Sequence, residues 1–346
     1  MAYTTIKKPS DYFNTKLYTG NGSTQSITGV GFQPDFIWVK DRTSANYHEL
    51  QDIVRGAGKG LFTNDILAET TGRTLYQFDS DGFSLDGNQS TTNVNGDNYV
   101  AWNWLASNTT ASNTDGSITS TVSANTTSGF SIVKYTGTGS ASTIGHGLGS
   151  APKMIIVKPI STSGVWLTWH TGISINGQLQ LQSSDAVYNP GTSIYWNSTL
   201  PTSSVFSVGT SGATNGSGVE YIAYCFAEKQ GFSKFGSYVG NGNADGTFVY
   251  TGFKPSFIML KNADAGGTWW HMIDNKRNPH NVISKVVFSN SSDAEYDLSN
   301  YHTDIVSNGF KLRTTTGTGM NASGNTYIYM AFAEEPLVGD NPATAR

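Results

Sequence analysis

Large apolar residues alternate with small or polar ones along much of this chain, and sustained 3.6-residue periodicity is almost missing. The clearest case is Tyr99-Val-Ala-Trp-Asn-Trp104. Val100, Trp102 and Trp104 share one pleat face there and Tyr99, Ala101 and Asn103 share the other, because side chains alternate across a strand. An aromatic face of that kind predicts a second sheet packed against it. Runs apolar on both faces occur as well: Pro34-Asp-Phe-Ile-Trp-Val-Lys40, Pro152-Lys-Met-Ile-Ile-Val-Lys158 and Pro255-Ser-Phe-Ile-Met-Leu-Lys261. Each reads as a central strand that begins on a proline, where no ladder donor is needed. The only helical signal is a turn or two around Tyr47 to Val54.

These runs belong to a larger recurrence. Sixteen or seventeen residues before each proline stands an aromatic with a glycine pair: Tyr18-Thr-Gly20-Asn-Gly22, Tyr135-Thr-Gly137-Thr-Gly139 and Tyr238-Val-Gly240-Asn-Gly242. A short strand follows each central run, at Asp81-Gly82-Phe83-Ser-Leu85, Phe206-Ser-Val208 and Asn308-Gly309-Phe310-Lys-Leu312. A last strand then begins at Tyr99, Tyr221 or Tyr327. Four landmarks in constant order predict an all-β chain of three consecutive β-sandwich, jelly-roll-like repeats. Their expected bounds are 14–106, 130–229 and 230–336. Residues 1–13 are left as an N-terminal docking arm, 107–129 as a Ser/Thr/Asn-rich linker and 337–346 as a C-terminal tail. Ile118 and Val122 sit at even spacing within the linker, so part of it can lie as a strand along a neighbour. Only Lys229 to Phe235 joins the last two repeats, which implies a rigid orientation.

Composition agrees with strands and tight turns. Charged residues make up 13% of the 346, about half the usual share of roughly 25%. The net charge of -4 is spread without a basic stripe or acidic tail, so neither nucleic acid nor membrane insertion is expected. Cys225 is the only cysteine, which excludes an intrachain disulfide and fits folding in a reducing compartment. Met1 to Ser10 carries no apolar run of signal-peptide length. Eight Asn-x-Ser/Thr triplets, Asn21, Asn108, Asn197 and Asn321 among them, are what so many Asn, Ser and Thr residues produce by chance.

Candidate chemistry is sparse. His48-Glu49-Leu50-Gln51-Asp52 resembles the opening of a zinc-protease helix but lacks the second histidine one turn later. Asp52 and Arg55 lie three apart, as do Asp274 and Arg277 behind His271, while the middle repeat keeps only Trp169-His170. His48, Asp52, Arg55, His271, Asp274 and Arg277 are therefore expected to form a structural polar network, not a catalytic site. Asp79, Asp81 and Asp86 match no calcium-loop spacing and suit a hairpin turn. No nucleophile elbow or phosphate-binding loop occurs, and no cofactor or metal is expected. Trp166, Trp269 and Trp270 follow the central runs and are candidates for stacking on a receptor or glycan, with core packing as the competing role. Paired carboxylates converging from distant strands leave a glycan depolymerase as a third possibility.

The landmark blocks, with Tyr3-Thr-Thr-Ile-Lys-Lys-Pro-Ser-Asp-Tyr12, Gly145-His-Gly-Leu-Gly149, Ser204-Val-Phe-Ser207 and Tyr221-Ile-Ala-Tyr-Cys-Phe-Ala-Glu228, resemble a virion structural, tail-fibre-like family of marine and cyanobacterial bacteriophages along essentially the whole chain. That resemblance implies a non-enzymatic virion protein assembled in the host cytoplasm, a tail fibre or adhesin subunit acting in host attachment, with a capsid decoration or head-fibre protein as the alternative. Expected partners are other virion proteins, a host receptor or surface polysaccharide, and two further copies in a homotrimer. The chain lacks the coiled-coil heptads of a long fibre.

Overall fold

The computed structural model describes residues 4–315, 317–336 and 338. The chain is all-β, and one strand order occurs in each of its thirds. In unit 1 the larger sheet runs Phe13–Thr19, Asn98–Trp104, Phe36–Asp41, Glu49–Asp52, Lys59–Phe62 and Thr70–Thr71. In unit 2 the same positions are held by Phe130–Thr136, Glu220–Phe226, Met154–Pro159, Leu167–His170 and Leu179–Gln180. In unit 3 they are Ser233–Val239, Thr326–Pro336, Phe253–Asn262, Trp270–Asp274, Lys285–Phe288 and Tyr296–Asp297. The Pro-to-Lys runs lie beside the last strands, and every residue of Phe36–Asp41, Met154–Pro159 and Phe253–Asn262 is buried.

A smaller sheet covers one face of each larger one. In unit 1 it is Gln25–Thr28, Gly82–Leu85 and Leu75–Asp79, and Ile27, Phe83 and Leu85 pack on Ile37, Val39, Tyr99 and Ala101. The covered face is therefore the Tyr99 face. The Trp102–Trp104 face, expected to meet a second sheet of its own unit, instead meets the inner faces of units 2 and 3. Trp104, Phe226 and Phe332 hold the same place in the three last strands, each opposite the start of its unit's first strand. Their rings form a triangle with centroid separations of 6.4, 5.6 and 6.1 Å. Around it Phe13, Phe36, Phe130, Met154, Phe235 and Phe257 complete one core shared by all three units.

Two other expectations change, and the strand reading of the Ser/Thr/Asn-rich segment does not. Glu49–Asp52 is a strand paired with Phe36–Val39, not a helical turn, because its register lets Leu50 reach the shared core. The Ser/Thr/Asn-rich segment contributes Ala111–Asn113 and Ser120–Asn125 to the second sheet, with Ile118 and Val122 buried. Ile6, Pro9 and Phe13 are buried as well, so residues 4–13 are packed into the body and do not form a free arm. Residues 1–3 of that arm, and all of the tail except Val338, lie outside the described residues.

A tyrosine pair and an asparagine hold each unit's open end. Tyr18 stacks on Tyr99, Tyr135 on Tyr221 and Tyr238 on Tyr327, at 5.1, 5.2 and 5.0 Å. Asn93, Asn215 and Asn321 are fully buried, and each side-chain amide donates to carbonyl oxygens of the Gly-x-Gly turn and of the segment before the last strand. The first glycine of the pair is required because a Cβ on Gly20, Gly137 or Gly240 would lie 2.2 to 2.4 Å from a carbonyl oxygen of that same segment. Asn321, one of the Asn-x-Ser/Thr asparagines, is thus a clamp with no accessible amide.

Trp104 touches rings from all three units: Phe13 and Phe36, Phe130 and Phe226, Phe257 and Phe332. Trp104→Ala is expected to lower unfolding free energy by about 3–5 kcal/mol. Urea unfolding followed by circular dichroism measures this, and the variant should unfold in one transition, since no unit keeps a complete core without the others.

Candidate functional site

The polar residues singled out in the sequence lie at the seams between units. Asp52 and Arg55 are both fully buried, with Arg55 Nε 2.5 Å from Asp52 Oδ2. Arg55 also donates to the Leu50 and Lys59 carbonyl oxygens. Asp52 accepts a 2.8 Å hydrogen bond from the Tyr224 hydroxyl of unit 2. In unit 3, Arg277 Nε lies 2.6 Å from Asp274 Oδ2 and Arg277 donates to the Met272 carbonyl oxygen. Asp274 accepts from Trp102 Nε1 of unit 1 at 3.2 Å, and the Arg277 guanidinium sits 5.5 Å from the Trp102 ring.

Strand register assigns the equivalents. Asp52 pairs with Phe36, His170 with Met154 and Asp274 with Phe257. His170, and not a lost histidine, therefore stands where the other units have aspartate. Its Nε2 donates to the Tyr329 carbonyl oxygen of unit 3 at 3.0 Å, while Gly172 N donates to its Nδ1. Burial pushes His170 down to about 4 and keeps the ring neutral. By the same register His48 is level with Trp166 and Trp270, and His271 is level with Glu49 and Leu167, so His48 and His271 are not counterparts.

The His48, Trp166 and Trp270 positions close the seams a second time. Trp166 Nε1 donates to the Phe62 carbonyl oxygen of unit 1 at 2.8 Å, and Trp270 Nε1 donates to the Gln180 carbonyl oxygen of unit 2 at 3.1 Å. His48 accepts from Trp38 Nε1 at 2.9 Å and meets the Phe288 backbone of unit 3. Burial holds His48 well below the ordinary histidine value, and holds His271 at about 3 with help from the nearby Lys261. Trp166 and Trp270 are 0% and 1% exposed, which removes both from the candidate glycan contacts. Trp269 is 38% exposed and stacks on Phe288 at 5.4 Å.

Residues at the ends of the Pro-to-Lys runs complete the pattern. Lys40 donates to the Ser292 carbonyl oxygen of unit 3, Lys158 to that of Ile66 in unit 1 and Lys261 to that of Ser184 in unit 2. Burial lowers all three ammonium groups to about 8. Two residues beyond each lysine a backbone carbonyl accepts from the preceding unit of the ring: Glu69 N to Ile160 O, Val187 N to Ala263 O and Glu295 N to Arg42 O, at 3.0, 2.9 and 3.0 Å. Arg42 and Glu295 add a bidentate ion pair. Every set of contacts joins 1 to 2, 2 to 3 and 3 to 1, so the chain is a closed ring.

Other candidates have local roles. Asp81 accepts from the Gly29 and Gly31 amides, and Asp79 from Gln77 and Ser84. No group of three or more metal-ligating side chains occurs among the described residues. Cys225 is fully buried, and desolvation raises its thiol far above the ordinary range. The asparagine clamps were not singled out from sequence, although a signal existed: Asn93, Asn215 and Asn321 each stand six residues before Tyr99, Tyr221 and Tyr327.

Asp52→Asn removes the nearer counter-charge of the buried Arg55 guanidinium and leaves it only Glu69, at 3.3 Å, and is expected to cost about 3 kcal/mol in urea unfolding. The seam lysines give a pH test. Their folded-state value of about 8 lies below the ordinary 10.5, so between these values the unfolded chain binds more protons and stability rises with pH. From pH 8 to pH 10 the expected rise is on the order of 1–2 kcal/mol per lysine. Lys40→Met, Lys158→Met and Lys261→Met should each remove one lysine's share, about a third of the summed rise.

Residues 8–336 match the family model described as a domain of unknown function, DUF7483. No curated protein matches the chain at a significant level. With the match spanning all three units, the chain belongs to the DUF7483 family.

Proposed function

We propose that the protein is a bacteriophage virion component without enzymatic activity, a tail-fibre or adhesin subunit that holds recognition loops rigidly against a host surface. The observation that carries this proposal is ring closure. Asp52, Arg55, Asp274, Arg277 and His170 are used up in the seams, and the shared core fixes the units relative to one another. What stays accessible is the set of loops outside the seams. A rigid platform of this kind lowers the ordering cost of a surface contact.

Phage fibres commonly draw three similar lobes from three chains. Here one chain supplies all three, so a homotrimer is not needed to close the ring. The same feature favours the alternative, a capsid decoration or head-fibre protein, since a three-lobed body is suited to a threefold-related seat on an icosahedral shell. The full-length resemblance to virion proteins supports both versions.

Cryo-electron microscopy of virions that encode this protein distinguishes them. Density for the three-lobed body on the tail is expected; density on the shell establishes the decoration alternative. Mass spectrometry of purified virions that finds none of this chain would overturn both.

A further inference from the structure

Unit 2 departs from the other two at one place on the surface. At the level where unit 1 has Phe62 and unit 3 has Phe288, unit 2 has Gln180, each opposite the equivalent residue of the neighbouring strand. Two residues earlier Gln178 replaces Gly60 and Val286. In the apolar units the aromatic is packed over: Phe62 against Tyr47 at 5.6 Å and Phe288 against Tyr296 at 5.4 Å. In unit 2 the place is an open cleft of about 350 Å³ lined by Gln178, Gln180, Asp185, Val187, Tyr188 and Tyr195.

Gln178 is 3% exposed, yet its Oε1 has no hydrogen-bond partner among the described residues. An orphaned buried acceptor forfeits its solvation without return, and a hydroxyl entering the cleft would relieve that cost. The surroundings match the same chemistry. Tyr188 is 54% exposed and offers an apolar ring face, and Tyr195 stands near it, its phenol raised by burial and then by the neighbouring Tyr188. The walls are also fixed in advance. Gln178 and Tyr188 exchange both backbone hydrogen bonds, at 2.9 and 3.0 Å, and Val187 is tied to unit 3 through Ala263.

We infer that this cleft binds a sugar unit of a neutral glycan, stacked on Tyr188 with a hydroxyl donating to Gln178. Gln180 Oε1 already accepts from Gln182 Nε2 at 2.7 Å, so the Gln178 amide oxygen is the acceptor that a sugar hydroxyl would meet. Asp185 is the charged group of the lining, and it disfavours uronic or sulfated sugars. This inference deepens the attachment proposal by naming a ligand class and a site for it.

The test uses the full chain with glucose, galactose, mannose, N-acetylglucosamine and their short oligomers, with polygalacturonate as the acidic comparison. Binding is read by saturation-transfer NMR and calorimetric titration. At least one neutral sugar is expected to bind, about tenfold more weakly to Tyr188→Ala, whose ring is largely in solvent. Gln178→Leu should lose binding while its thermal midpoint is no lower than that of the parent chain. No binding by the neutral panel, preference for polygalacturonate, or unchanged affinity in Tyr188→Ala would each overturn the site. Cell attachment that persists in Tyr188→Ala, with the panel silent, would sink the cleft and leave the attachment proposal standing. A chain missing from virions that still binds sugar through Tyr188 would do the reverse.

Discussion

The contact among Trp104, Phe226 and Phe332 sets the constraint that the rest of the structure answers to. Three sheets that turn large apolar faces toward one point can be dry only together, since each face is the cover of the other two. Burial of such rings is the largest favourable contribution available to a chain with so few charges. It also dictates that the third unit must return to the first. The small outer sheets then have a simpler task, covering the opposite faces locally, as Phe83 and Leu85 do in unit 1.

A core shared among three units needs seams, and the seams carry buried polar backbone at strand ends. Those groups must be satisfied across the unit boundary. The three solutions are chemically different but internally consistent. Tyr224 and Trp102 each present an N–H or O–H donor, and each faces a carboxylate, Asp52 or Asp274. The equivalent of these donors in unit 3 is Met330, which has nothing to donate, and there the neighbouring unit has His170 in place of aspartate and takes the Tyr329 carbonyl instead. With the carboxylate gone, the arginine three residues on is gone too: Ile173 stands where Arg55 and Arg277 stand, and it packs on the core. A bare aspartate at that seam would be a buried charge without a partner, so donor, acceptor and counter-ion change as a set.

Much of this architecture is legible in the sequence, and the boundary of legibility has a physical cause. Spacing from Pro34, Pro152 and Pro255 to their lysines reveals the recurring strands because local pleat geometry fixes it. What covers a strand's apolar face is not local. Val100, Trp102 and Trp104 announce a buried face equally well whether the cover is a sheet of the same unit or two foreign ones. The same ambiguity made Trp166 and Trp270 look like surface candidates, although their indole N–H groups reach carbonyls in the preceding unit. Matching His48 to His271 failed for another reason. Similar letters in the sequence differ by one position in register, and one position moves a side chain to the opposite face. The Tyr188 cleft was equally hidden, because Gln178 and Gln180 acquire meaning only beside the equivalents that register assigns to them.

Symmetry within the chain gives a way of separating roles that composition does not. Positions that recur in all three units, such as the tyrosine stacks, the asparagine clamps and the seam lysines, serve needs common to every unit, and packing and hydrogen bonding account for them. A position where one unit departs while keeping its backbone register has a different status. Ile173 departs in concert with His170 and Met330, and the seam explains it. Gln178 and Gln180 depart differently: Gln180 Oε1 accepts from Gln182 Nε2 within its own unit, whereas the Gln178 amide oxygen has no donor among the described residues. Polar side chains that replace glycine, valine and phenylalanine at buried or half-buried positions reduce packing and add desolvation cost. For Gln178 Oε1 no protein donor offsets that cost, whereas a ligand hydroxyl in the cleft does.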